Sequence, residues 1–192
     1  MKRLALAIIC LMAVTMACGP KVSTSLSVGE IIPKGSRIAV LPFENLSGRE
    51  NASEKITEYF VLALRAVPDL DITEFGQTYE QMRRNRVRSA TYITAAQIDS
   101  LSAGLGAGYL VTGSVLEFGE IDNQYLGKVP QVSINARLID CRTRKTVWSG
   151  VANARGDEGE IVFGMGAVRS REELARQVID KAVDKIAALI KR

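Results

Sequence analysis

The sequence predicts a single α/β domain, because strand-like and helix-like segments alternate along most of its 192 residues. Residues 37–43 and 69–75 are short apolar runs separated by an amphipathic segment, a pattern that predicts a right-handed β-α-β unit. Residues 132–138 alternate between apolar and polar side chains, as in a half-buried antiparallel strand. Near the end of the chain, residues 174–189 carry an apolar stripe at helical spacing.

Helix starts and stops support this division of the chain. Asn51 and Glu54 have the spacing of a helix start, and Pro68 ends the first helix. A short helix over 77–84 follows, and Thr94 with Gln97 predicts a capping box for the next helix. The apolar face of the first helix consists of Ile56, Tyr59, Phe60, Ala63, Leu64 and Val67.

The second half predicts strands and one long helix. Residues 108–118 indicate a central strand, and residues 145–153 form a hairpin with the preceding strand through a turn at 140–144. Ser170 and Glu173 predict a capping box for the last helix. Its buried stripe is Leu174, Val178, Ala182, Ile186 and Leu189.

The first 17 residues have the features of a secretory signal. Lys2 and Arg3 precede an almost unbroken apolar run over 4–14, and small or neutral residues follow. The uncharged stretch is shorter than the roughly 20 residues of a membrane-spanning helix. We therefore assign residues 1–17 to a signal peptide.

The end of this signal resembles the bacterial lipobox. Ala17 precedes Cys18, and Thr15 stands where leucine is usual. The resemblance implies cleavage between Ala17 and Cys18, a diacylglyceride on the cysteine sulfur, and a fatty acid such as palmitate on its amine. The residue after the cysteine is Gly19 rather than aspartate, which resembles the sorting signal of outer-membrane lipoproteins. We expect a lipid-anchored protein with its domain in the periplasm; the alternatives are an ordinary signal peptide and an uncleaved anchor.

The segment after the cysteine is rich in serine, glycine and proline. We predict that residues 18–36 are a lipidated N-terminus with a flexible tether. Residues 37–192 then form the domain, which is long enough for a substantial core.

Composition excludes several classes of chemistry. The chain has no histidine, which removes Ser-His-Asp catalysis and the usual zinc sites. The formal charge of +4 falls to about +2 without the signal, so no global electrostatic case for nucleic acid remains. Cys141 is the one cysteine outside the signal and the lipobox, and we interpret it as a small residue at a strand end. We expect no catalytic residue, metal or cofactor.

Two segments are candidates for binding a partner. The dense basic cluster of Arg83, Arg84, Arg86 and Arg88 is either a solvated helix end or a site for an anionic lipid, glycan or acidic protein. The loop 154–168 contains the apolar residues Ile161, Phe163 and Met165 between glycines. Phe163 either plugs the core or belongs to an exposed contact patch.

Three segments carry a resemblance to a known family. RIAVLPFENLSG begins at Arg37, GAGYLVTGSVLEF begins at Gly106, and INARLIDCRTRKTVWSG ends at Gly150. In this order they resemble the CsgG/LpoB superfamily of envelope lipoproteins, which is related to the amino-terminal domain of TolB. The resemblance implies a mixed, roughly five-stranded sheet with helices on both faces. Members of this superfamily include a curli secretion pore and an activator of class A penicillin-binding proteins.

The sequence departs from both of these members. Residues 119–130 and 154–168 occupy the positions of the pore's membrane hairpins, but they are too short or too interrupted by glycine and charge. The activator has a much longer tether. We therefore predict a non-catalytic accessory or scaffold lipoprotein of cell-envelope assembly with an unknown protein partner. The alternatives are an oligomeric component of a curli-type channel and a glycan-acting enzyme using Glu158 and Glu160.

Overall fold

The computed structural model describes residues 21–27, 31–159 and 166–190. Within these ranges the elements are β1 (Lys21–Ser27), β2 (Ser36–Val40), β3 (Glu44–Asn45), α1 (Ala52–Arg65), β4 (Leu70–Ile72), α2 (Phe75–Arg84), α3 (Ala95–Leu105), β5 (Tyr109–Asn123), β6 (Gly127–Asp140), β7 (Lys145–Arg155) and α4 (Arg171–Ala187).

A mixed sheet joins all seven of these strands. Its order is β1-β7-β6-β5-β2-β4, with β3 placed beside β5. β2 pairs in parallel with β4 and β5, whereas β5, β6, β7 and β1 form an antiparallel series. The predicted α/β domain with a mixed sheet is confirmed, and β1 and β3 add two strands to the roughly five expected.

Helices cover both faces of the sheet, as expected. α1 and α4 pack on one face, where Phe60, Leu64 and Val178 join a large apolar core. α2 and α3 pack on the other face, where Met82 and Leu101 join a second core. The described helices include none that is both long and apolar enough to cross a membrane.

The capping contacts predicted at the helix starts are confirmed for two helices and not for the first. Thr94 and Gln97 form the predicted capping box at α3, and Ser170 accepts a hydrogen bond from the Glu173 N–H at α4. Asn51 directly precedes α1, but its backbone is left-handed and its side chain makes no capping hydrogen bond. The position of the first helix start was therefore predicted correctly, without the expected capping contact.

The predicted flexible tether over residues 18–36 is wrong for much of that segment. Lys21–Ser27 is an edge strand that pairs antiparallel with β7, from Lys21 beside Asn153 to Ser27 beside Trp148. Ile32 is fully buried, and its N–H donates a 2.8 Å hydrogen bond to the Leu189 carbonyl. The physical reason is that this strand pairs the backbone groups along the outer edge of β7, with one bulge between Thr24 and Leu26.

Candidate partner-binding groove beside helix α2

The arginine-rich end of α2 closes in a specific backbone motif. The N–H of Val87 donates a 2.9 Å bond to the Met82 carbonyl, and the N–H of Arg86 donates a 3.2 Å bond to the Arg83 carbonyl. These two bonds are those of a Schellman motif, with Asn85 as the C-cap. Met82 and Val87 are both buried in the second core, which supplies the apolar contact of the motif.

The motif places Arg86 in a left-handed backbone conformation, with φ at 53°. Glycine is the usual residue at this position, because a side chain there adds steric strain. Arginine at this position costs roughly 1–2 kcal/mol relative to an ordinary helical backbone.

A surface groove of about 560 Å³ runs beside this turn. Three of the four predicted arginines, Arg83, Arg86 and Arg88, line it. The fourth, Arg84, lies beside a different groove that also contains Arg37. The remaining lining residues, which sequence reasoning missed, are Pro42, Tyr79, Met82 and Val87. We call this surface the arginine groove.

Glu80 neutralises part of the positive charge beside the groove. Arg83 donates two 2.9 Å hydrogen bonds to its carboxylate, and Arg84 donates a third of the same length. These hydrogen bonds lower the pKa of Glu80 to about 2 and raise the pKa of Arg83. Neither Arg86 nor Arg88 forms an ion pair with any described residue. The available positive charge of the groove therefore lies on these two side chains.

The groove combines guanidinium groups with an apolar floor and an aromatic wall. Tyr79 is 61% exposed at its edge, and the buried Met82 and Val87 lie beneath. Guanidinium groups bind carboxylates through paired hydrogen bonds, and aromatic residues with arginine dominate protein interfaces. The arrangement suits the binding of an acidic protein surface. The described part of the chain holds no cluster of metal-binding side chains.

The other predicted site residues are distributed elsewhere. Ala17 and Cys18, like Ile161, Phe163 and Met165, lie outside the described residues. Of the proposed carboxylate pair, Glu160 also lies outside, and Glu158 is half-buried in the turn after β7. Cys141 is buried at the end of β6, and burial raises the pKa of its thiol to about 11. A protonated, buried thiol agrees with the predicted structural role.

A large part of this domain matches a known protein family. Residues 72–191 match a family described as "Putative lipoprotein GNA1162-like", and these residues form more than half of the chain. The chain belongs to the GNA1162-like family. Membership supports the lipoprotein prediction, although Cys18 precedes the matched residues. No curated protein sequence matches the chain.

Solved structures share the fold of this GNA1162-like protein. The PelC dodecamer from Paraburkholderia phytofirmans has a TM-score of 0.58 and 18% identity, over 90% of this chain and 99% of PelC. Lipoprotein GNA1162 from Neisseria meningitidis has a TM-score of 0.54 and 27% identity, over 80% and 99% of the two chains. The C-terminal domain of LpoB from Salmonella enterica has a TM-score of 0.49 and 16% identity, over 64% and 84%. That last score is too low to decide the resemblance to the CsgG/LpoB superfamily.

Proposed function

We propose that this protein is a non-catalytic, membrane-anchored accessory or scaffold lipoprotein of cell-envelope assembly, and that the arginine groove binds an acidic protein partner. Its membership of a lipoprotein family supports the anchored part of this proposal. The lipobox supports attachment through a diacylglyceride on Cys18. Gly19 supports the outer membrane as the location, with the domain in the periplasm.

The observation that carries the binding role is the backbone of Arg86. Its left-handed conformation is strained, and no described carboxylate compensates with an ion pair. Strained residues persist where the surrounding structure holds them and often mark functional sites. The Schellman motif fixes the backbone of Arg86 beside the groove, so the guanidinium starts from a defined position and remains available to a partner carboxylate.

The substitution Arg86→Gly tests this role, because it separates stability from binding. Glycine removes the backbone strain, so the free energy of unfolding should rise by roughly 1 kcal/mol. The same change should weaken binding to an envelope partner cross-linked and purified with the wild-type lipoprotein. Binding affinities of the purified pair and urea unfolding curves provide the two measurements.

Arg144→Gly is the matched control. Arg144, on the β6–β7 turn, also has a positive φ, at 57°, but its guanidinium forms an ion pair with Asp99 of α3 at 2.7 Å. This control should leave partner affinity unchanged. Equal affinity for wild-type and Arg86→Gly proteins would show that the arginine groove is not the binding site.

A second candidate function is self-assembly, as in an oligomeric channel component. Its support is that PelC, which shares this fold over nearly its whole length, was solved as a dodecamer. Native mass spectrometry of the full-length lipoprotein in detergent tests this candidate. A ring-sized species would favour it, and a monomer at all concentrations would eliminate it.

A further inference from the structure

A second polar surface lies on the sheet face that α2 and α3 only partly cover. Leu110 lies beneath α3 in the second core, and Thr112 and Ser114 continue the same face along β5. On the neighbouring strands this face carries Asn135 and Arg137 of β6, and Ser149 and Val151 of β7. The described helices on this face contact β2 and β5 but not β6 or β7 to a comparable extent. A cleft of about 270 Å³ remains between these strands and Thr91.

Hydrogen bonds hold one wall of this cleft in place. The Thr112 hydroxyl donates a 2.6 Å bond to the Ala90 carbonyl, and the Thr91 and Ser114 hydroxyls are 3.2 Å apart. Nη2 of Arg137 donates to the Thr91 carbonyl. The extended segment before α3 is therefore fixed against the sheet, and the cleft is a built feature of the fold.

The cleft contains an uncompensated cation. Arg137 is half-buried, and no described carboxylate lies within 4.0 Å of its guanidinium. Partial burial of a charge without an opposite charge is unfavourable, and an anionic ligand would remove that cost. The bond to Thr91 occupies one Nη2 donor, so other N–H groups remain available for a paired interaction.

Asn135 provides a second donor, and a hydrogen bond from the Ser114 backbone fixes the orientation of its amide. Its Oδ1 accepts a 2.7 Å hydrogen bond from the Ser114 N–H, which assigns the amide orientation. Its Nδ2 makes no hydrogen bond to the described residues. The remaining polar lining comes from Thr91, Thr112 and Ser149. Thr112 is fully buried and donates to the Ala90 carbonyl, so Thr91 is the threonine that a ligand can reach.

We propose that this cleft binds a sugar acid, with the carboxylate on Arg137 and the ring hydroxyls near Asn135 and Thr91. The planar guanidinium matches a carboxylate, and a lining in which hydroxyl and amide groups lie beside Val151 matches a sugar ring, which has both hydroxyl groups and apolar C–H faces. Among the described residues, those that line the cleft include no acidic side chain. Uronic acids and the lactyl acid of muramic acid share this chemistry. The site shares no residue with the arginine groove and is independent of that proposal.

Matched pairs of soluble sugars test the ligand class. The full-length lipoprotein in detergent is titrated with glucuronic acid against glucose, and with N-acetylmuramic acid against N-acetylglucosamine, using calorimetry or ligand-detected NMR. We expect at least one acid to bind about tenfold more tightly than its neutral partner. The acid that binds more tightly identifies whether the natural ligand contains a uronic acid or a muramic acid. Equal binding of acid and neutral sugar, no binding of either acid, or equally tight binding of inorganic phosphate would overturn the proposal.

Two substitutions locate the binding in this cleft. Asn135→Asp keeps the Oδ1 acceptor for Ser114 but replaces the amide donors with a negative charge, so acid binding should fall about tenfold or more. Arg137→Lys keeps the positive charge but loses the planar pair of donors, and should also weaken binding. Arg142→Lys is the control, because the Arg142 side chain is 81% exposed on the β6–β7 turn and does not line the cleft, and it should have no effect. If Asn135→Asp does not fold by circular dichroism, Arg137→Lys decides, and wild-type affinity in the folded variant refutes the assignment.

Discussion

The backbone N–H of Val168 donates a 2.8 Å hydrogen bond to the carbonyl oxygen of Gly156. The N–H of Gly156 in turn donates a 2.8 Å bond to the carbonyl of Pro130 on β6. Asp157 reinforces this junction, because it accepts from Arg155 at 2.7 Å and from Asn123 at 2.9 Å. The two ends of the loop after β7 are therefore anchored to the same end of the sheet.

This anchor predicts that Gly156→Ala destabilises the protein. A Cβ atom at Gly156 would lie 2.1 Å from the Val168 carbonyl oxygen and 2.7 Å from Cδ of Pro130. Both obstacles are rigid, so the backbone must shift, and we expect a loss of about 1–3 kcal/mol in unfolding free energy. Gly76→Ala is the control, since nothing lies within 4 Å of its Cβ position. Urea unfolding curves that coincide for wild-type and Gly156→Ala proteins would disprove the close contact.

The features predicted correctly depend on short-range sequence signals. Thr94 and Gln97 are three residues apart, so their capping box could be identified without knowledge of the fold. The apolar stripe from Leu174 to Ile186 likewise identified the buried face of α4. Such patterns are local, and the backbone geometry of a helix determines which residues share a face.

The features that were missed depend on contacts between distant residues. The strand Lys21–Ser27 was missed because its composition is rich in serine and its partner strand lies more than 120 residues away. Arg137 was assigned simply to the polar face of a strand, because its contact with Thr91 requires the folded sheet. The sequence groups all four arginines in one cluster, and only the structure shows that Arg84 and Arg86 line different grooves.

Cys141 should make stability depend on pH in the alkaline range. Burial raises the pKa of its thiol from 9.0 to about 11, so the unfolded thiol ionises first as pH rises. Its contribution to stability is fully present below pH 9 and is lost as pH rises towards 11. Thermal unfolding of wild-type and Cys141→Ala proteins across this range isolates the effect. A wild-type pH dependence identical to that of Cys141→Ala would contradict it.

The substitution Cys18→Ser should abolish lipid attachment. The thioether is the strong membrane anchor that the sequence predicts, so the variant should remain as uncleaved precursor or become soluble. Metabolic labelling with palmitate, followed by membrane fractionation, measures both outcomes. Cys141→Ser serves as the control and should retain the label, because Cys141 is buried. Palmitate incorporated by the Cys18→Ser variant would show that the anchor lies elsewhere.

The substitution Phe163→Ala should distinguish a core plug from a contact patch in the loop that Gly156 and Val168 anchor. Aromatic residues are usually buried, so we expect Phe163 to pack against the sheet and its truncation to cost about 3–5 kcal/mol of unfolding free energy. Phe75→Ala is the matched control, because Phe75 is 36% exposed at the start of α2 and should lose less stability. A Phe163→Ala protein with an unchanged melting temperature but weakened partner binding or self-association would instead assign Ile161, Phe163 and Met165 to a contact patch.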